Sequence, residues 1–190
     1  MSPLLYKFAD QPWEHEAIHR LNHRTFAEEI PQHATRPDGV LVDRFHGENK
    51  YLICLCGSEL VGMLVFRTQR PFSLDQKVPD MTSLLPAHER AVELRLLAVE
   101  PKWRHRRVFG GLLEHAVRWC VAEGVDLAVM SGTTRQLALY RHLGFTPFAG
   151  LVGTPGALYQ PMFISPAHLL RTLEGSRWAR SLAVTPPRPE

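Results

Sequence analysis

Cysteine is scarce in this 190-residue chain. The three thiols, Cys54, Cys56 and Cys120, form no C-x-x-C pair and leave an odd one over. That speaks against a disulfide framework or a structural zinc site, and makes a reducing cytoplasm the expected setting. The ten histidines lack metal-binding spacings such as H-E-x-x-H, so no metal is expected. No apolar run approaches the roughly 18 to 20 residues that cross a bilayer, and the N-terminus lacks the charged and apolar segments of a signal peptide. Charge of one sign is missing too: the formal balance is only +3. So mild an excess implies neither a nucleic-acid partner nor an anionic membrane surface. Lysine supplies only four of the 22 cationic side chains and arginine the other 18. Most of the arginines are read as genomic base composition, with any anion site confined to a local cluster.

What is present is a globular composition. With 45% hydrophobic and 22% charged residues the chain fits one compact domain, expected over residues 1–174, followed by a tail or linker stub over 175–190 that ends Pro-rich. Leu4 to Phe8 reads as an edge strand. Beyond Pro12, Ile18, Leu21 and Thr25 recur at helical spacing, with Phe26 and Ile30 following. The runs Tyr51 to Cys56 and Glu59 to Phe66 flank Gly57-Ser58, an antiparallel hairpin around a two-residue turn. A long Pro-containing connection, Thr68 to Arg90, precedes a strand at Ala91 to Val99. Loops of that length beside a central strand often cover a site. Leu112, Leu113, Ala116, Val117, Cys120 and Val121 draw an apolar stripe from Gly110 to a helix stop at Gly124. Leu127 to Ser131 is a buried-type strand, Thr134 a cap for a short helix through Leu143, Tyr159 to Ile164 a last strand and Pro166 to Leu173 a last helix. The order defines a layered α/β unit.

The chemistry concentrates after the central strand, where Glu93-Leu94-Arg95 through Val99 runs via Lys102, Arg104, Arg106 and Arg107 into a helix. A strand-to-helix turn presents backbone N–H groups at the positive end of the helix dipole, a natural phosphate site. Val99, Pro101, Trp103, Arg104 and Leu112-Leu113, together with Tyr140 followed by Leu143-Gly144-Phe145, resemble the two signatures of the GNAT N-acetyltransferases. The resemblance spans most of residues 4–165. It implies a mixed, mostly antiparallel twisted sheet with helices on both faces.

The resemblance further implies that an acyl-CoA, or the acyl-phosphopantetheine of a carrier protein, lies along Leu97, Ala98 and Val99 and over the turn of Arg104, Arg106, Arg107, Val108, Phe109, Gly110 and Gly111. Glu93 would take the amine proton and Tyr140 would protonate the leaving thiolate. The turn departs from the family pattern, with Arg107 and Phe109 where small residues allow close backbone approach to a pyrophosphate. Gly110-Gly111 would then shift the turn by one residue. A weaker resemblance, to the N-acyl amino acid and acyl-homoserine lactone synthases, rests on Arg24, Phe26, Asp43, Phe45, Pro71-Phe72-Ser73-Leu74 and Glu93. It assigns Arg24, Phe26, Asp43 and Phe45 to a small amine acceptor, an amino acid among the options, and is compatible with a homodimer. In that branch His46 stands where a second Asp is usual and Leu96 where an Arg is usual. Two rivals remain: a degenerate fold that senses acyl-CoA without turnover, and a nucleic-acid-binding domain resting only on the basic turn.

Overall fold

The computed structural model describes residues 2–104 and 107–175. Arg106, and all of the expected tail beyond Gly175, lie outside the described residues. The sheet consists of β1 (Leu4–Phe8), β2 (Lys50–Cys56), β3 (Glu59–Arg67), β4 (Ala91–Val99), β5 (Leu127–Thr133), β6 (Thr146–Pro147), β7 (Val152–Thr154) and β8 (Ala157–Ile164). Its order is β1-β2-β3-β4-β5-β8-β6, with β7 also paired to β8. Only β4 and β5 run parallel. The mixed, mostly antiparallel sheet expected from sequence is therefore present.

The helices are α1 (Pro12–His23), α2 (Val108–Ala122), α3 (Leu137–His142) and α4 (Pro166–Gly175). They lie on both faces because successive strand residues point to opposite sides. Leu52, Cys54, Val92, Leu94, Ala128 and Met130 pack against α2 and α4. On the other face Ile53, Leu55, Met63 and Val65 meet Ile18, Leu21 and Phe26 of the first helical segment. The Pro-containing loop before β4 continues that second layer: Phe72, Leu74, Val78 and Met81 cover Leu127 and Val129. Glu93 and Arg95, which alternate with Val92 and Leu94, thus face the loop side.

Several sequence expectations change in detail. The first helix passes into a π-helical turn at Arg24–Glu29, which carries Thr25 and Phe26 inward and stops before Ile30. Thr134 does not cap α3; it opens a 3-10 turn, Thr134–Gln136, and α3 begins at Leu137. Helix α2 begins at Val108, so Gly110 and Gly111 lie inside its first turn and do not shift the preceding loop. Gly111 serves packing instead. A Cβ there would stand 2.2 Å from the Tyr6 ring. That ring stacks on His115 at 4.6 Å, and its hydroxyl donates to the Arg107 carbonyl at 3.1 Å, tying β1 to the start of α2.

The feature that creates the site is a bulge. Leu96 has φ +48° in the middle of β4, a left-handed conformation that costs a residue with a Cβ roughly 1 kcal/mol or more. The β3–β4 register skips from Met63↔Ala98 to Val65↔Arg95, leaving Leu64 opposite both Leu96 and Leu97. The parallel β4–β5 pairing ends at Leu94↔Met130, and beyond it no β4–β5 pairs follow.

Candidate active site

The gap where β4 and β5 part is an open-mouthed cleft of about 930 Å³, the open solvent at its entrance included. On the α2 face of the sheet it is apolar, lined by Leu94, Leu97, Phe109, Leu113, Met130 and Leu143. On the loop face it is polar, with Ser73, Lys77, Glu93, Arg95, Ser131 and Tyr159. Two chemically different components can meet there.

Glu93 is 1% exposed and lines the cleft. Ser73 N donates to Oε2 at 2.7 Å, while Ser73 Oγ and Leu74 N donate to Oε1 at 2.5 and 3.1 Å. The carboxylate thereby clamps the Pro-containing loop. A carboxylate offers about four acceptor sites, so one on Oε2 stays open. Arg95 Nε, 3.5 Å away, is too distant to occupy it as a hydrogen bond.

Arg95 links two acids. Its guanidinium also makes a bidentate pair with Asp43, at 2.9 and 3.0 Å. Burial pushes the Asp43 carboxyl up, but Arg95, Asn49 and the Phe45 N–H outweigh it and hold its pKa below the usual range. Phe45 does not line the cleft. Its ring is a platform for the guanidiniums of Arg67 at 3.8 Å, Arg44 at 4.5 Å and Arg95 at 4.9 Å.

The other expected residues divide. Phe26 lines the cleft, while Arg24 pairs with Glu100 outside it. Tyr140 lines the cleft; burial pushes its phenol pKa up, and the nearby Thr133 pulls it part of the way back. Leu97 and Phe109 reach the cleft, whereas Ala98 packs in the α1 layer. Val99 uses its carbonyl to accept Arg104 Nε at 3.0 Å. Arg104 is committed further: Nη1 donates to Glu29 at 2.8 Å. Val108 fills the space above Gly62, where a Cβ would stand 2.7 Å from it. Val108, Phe109 and Gly110 form the first turn of α2.

A histidine face holds the loop before β2. His15 and His19 of α1 meet the His46 ring at 5.3 and 4.6 Å. One turn on, His23 Nε2 accepts from Arg36 N at 2.8 Å and Asn22 Nδ2 donates to the Leu41 carbonyl at 2.7 Å. Among the described residues no group of three His, Cys, Asp or Glu is arranged to hold a metal. Burial first, and mutual repulsion second, lower the pKa of His19 and His46. The unfolded chain then binds protons more readily than the folded one. Stability is complete above about pH 6.5 and falls as the pH drops below it. The urea midpoint at pH 5.5 should lie below that at pH 7.5, and the paired substitution His19→Gln and His46→Gln should narrow the difference.

A sheet whose one parallel pair parts around a cleft, bulged at the central strand and flanked by a tyrosine-bearing helix, is the fold of the GNAT-type N-acyltransferases. Residues 17–168 match the family model described as N-acyl amino acid synthase FeeM, and the chain belongs to that family. No curated protein sequence matches it. Among solved structures, the CoA-dependent acyl-homoserine lactone synthase BjaI, with SAM and isopentyl-CoA, is 22% identical, covers 84% of this chain and 79% of its own, and superposes with a TM-score of 0.70. FeeM, an N-acyl amino acid synthase from uncultured soil microbes, gives 15%, 88% and 92%, and 0.67. A GNAT-family protein from Desulfovibrio desulfuricans gives 14%, 86% and 99%, and 0.56. The enzyme transfers an acyl group from an acyl-CoA or acyl-carrier-protein thioester to an amine. Among the described residues no helix is long and apolar enough to cross a membrane.

Proposed function

We propose that the acceptor is a free amino acid and that the product is an N-acyl amino acid. The observation that carries this reading is the two-part cleft, apolar on the α2 face of the sheet and ionic on the loop face, where Glu93 and Arg95 stand. An acyl chain fits the first part and a small zwitterion the second. Attack of the amine on the thioester carbonyl needs a free amine, and Glu93 offers its open Oε2 site to the departing proton, directly or through water. The bulge interrupts the β3–β4 ladder at Leu96 and Leu97, which supports the Leu97 N–H as a donor to the oxyanion. Tyr140 protonates the leaving thiolate.

For the donor, the engagement of Arg104 by Glu29 and the bulk of Phe109 support a carrier-protein phosphopantetheine, with one phosphate, over the pyrophosphate of CoA. The free thiols of Cys54, Cys56 and Cys120 support a cytoplasmic setting. The test is to supply acyl-carrier protein and acyl-CoA of graded chain lengths with a mixture of the common amino acids and to analyse products by mass spectrometry. An N-acyl amino acid, formed faster from the carrier protein, is the expected result. Arg107 and Phe109, standing where small residues are usual, favour the sensor reading as the alternative. That reading predicts a stoichiometric donor complex in native mass spectrometry and no product with any acceptor.

A further inference from the structure

Among the described residues, two hydroxyls in the cleft have no partner. Ser131 Oγ and Tyr159 Oη are buried side-chain atoms without a hydrogen bond, although both residues line the cleft. Buried polar groups are nearly always paired, so an orphaned pair at the wall of a cavity marks a place that a ligand completes. The sheet brings them together. Tyr159 of β8 stands directly opposite Thr133 of β5, and Ser131 lies two residues before Thr133. All three side chains therefore share one face within a single diagonal neighbour distance. It is the face of Glu93 and Arg95.

A third donor comes from the Pro-containing loop. Lys77 lines the same cleft, and its ammonium lies 5.7 Å from the centre of the Tyr159 ring. Among the described residues it forms no ion pair. Burial lowers its pKa, Glu93 raises it, and Arg95 and Arg44 lower it further. Of the acids nearby, Asp43 is neutralised by the bidentate Arg95 pair, while Glu93 keeps one acceptor site open. Among the described residues the loop face of the cleft thus carries one carboxylate with a free acceptor site and one ammonium that no carboxylate pairs.

We propose that Lys77, Ser131 and Tyr159 form the site that holds the carboxylate of the acceptor, with Glu93 facing its amine. The Lys77 ammonium supplies charge, and the two hydroxyls donate the hydrogen bonds they lack in the free protein. The arrangement reads an α-amino acid by its zwitterion and discriminates against the amine of the same side chain. The inference rests on the amino-acid reading above and names the residues that would enforce it.

The experiment compares L-phenylalanine with phenethylamine, which differ by the carboxylate alone, in the wild-type protein, Lys77→Met, Lys77→Arg and Tyr159→Phe. The ratio of kcat/KM for acid over amine should fall roughly 10- to 100-fold in Lys77→Met and several-fold in Tyr159→Phe. Lys77→Arg should retain part of it. The loss should sit in KM for the amino acid, with KM for the donor unmoved. Calorimetric titration with N-octanoyl-phenylalanine and N-octanoyl-phenethylamine reads the same ratio without turnover, and thermal unfolding shows that each variant folds. Equal handling of acid and amine by the wild-type enzyme would overturn the inference and leave the acyltransferase intact. A rise in donor KM with Tyr159→Phe would overturn it also, by placing that hydroxyl on the pantetheine. If no acceptor is acylated but the titration still prefers the acid and Lys77→Met abolishes the preference, the enzymatic reading fails and the carboxylate site stands.

Discussion

Replacing Glu93 with Gln should lower the unfolding temperature by about 10 °C and kcat/KM by about 100-fold. The stability loss follows from what the carboxylate holds. Three donors from Ser73 and Leu74 converge on two buried oxygens, and an amide can offer only one oxygen to them. Its NH2 group would confront a backbone N–H, leaving donors unsatisfied and the Arg95 guanidinium with one anionic neighbour fewer. A cost of about 3–5 kcal/mol is expected for such a site, and a chain of this size loses about 2–4 °C per kcal/mol. Activity would fall for two reasons that pH separates. If Glu93 accepts the amine proton, raising the pH to 9.5 supplies the free amine without it, and Glu93→Gln should regain about tenfold of its lost rate relative to wild type. An unchanged deficit at pH 9.5 would reduce Glu93 to a clamp on the loop. Differential scanning calorimetry and a pH series of initial rates decide the matter.

The parts of this protein that were legible in its sequence are those specified by neighbours in the chain. The hairpin around Gly57-Ser58 and the α2 stripe follow from local periodicity and turn chemistry, and the structure places them within one or two residues of expectation. The sheet class followed from motif order. The details that decide the site depend on distant partners. Nothing near Leu96 announces a left-handed residue in a strand; the bulge is enforced by the register between β3 and β4. Arg104 matches its signature, yet its guanidinium is engaged by Glu29, 75 residues away. Gly111 carries the mark of a phosphate turn, but Tyr6 fills the space its missing Cβ leaves. His46, an oddity against the synthase pattern, makes sense only beside His15 and His19 on α1. Ser131 and Tyr159 are ordinary strand residues until the sheet is assembled and their hydroxyls are found without partners.

Tyr140→Phe should reduce kcat by about 100- to 1,000-fold with little change in KM for donor or acceptor. The phenol sits in the cleft, with the ring placed against Phe145 at 6.1 Å. Phenylalanine keeps that packing and loses only the hydroxyl, so the fold should be nearly undisturbed. Burial holds the Tyr140 pKa above its ordinary value. The group therefore stays protonated through the neutral range and is poised to give a proton, not to take one. The sign matters for the test: a wild-type rate limited by this acid should show no falling limb between pH 7 and 9 attributable to Tyr140. A thiolate that leaves easily needs no proton. With an acyl thioester of p-nitrothiophenol in place of a phosphopantetheine or CoA thioester, the deficit of Tyr140→Phe should shrink to less than about tenfold, as expected for a general acid acting on the leaving group. If the deficit stays the same with both donors, Tyr140 acts by shaping the cleft above Gly132, where an added Cβ would come within 2.8 Å of its ring, and the proton must come from elsewhere.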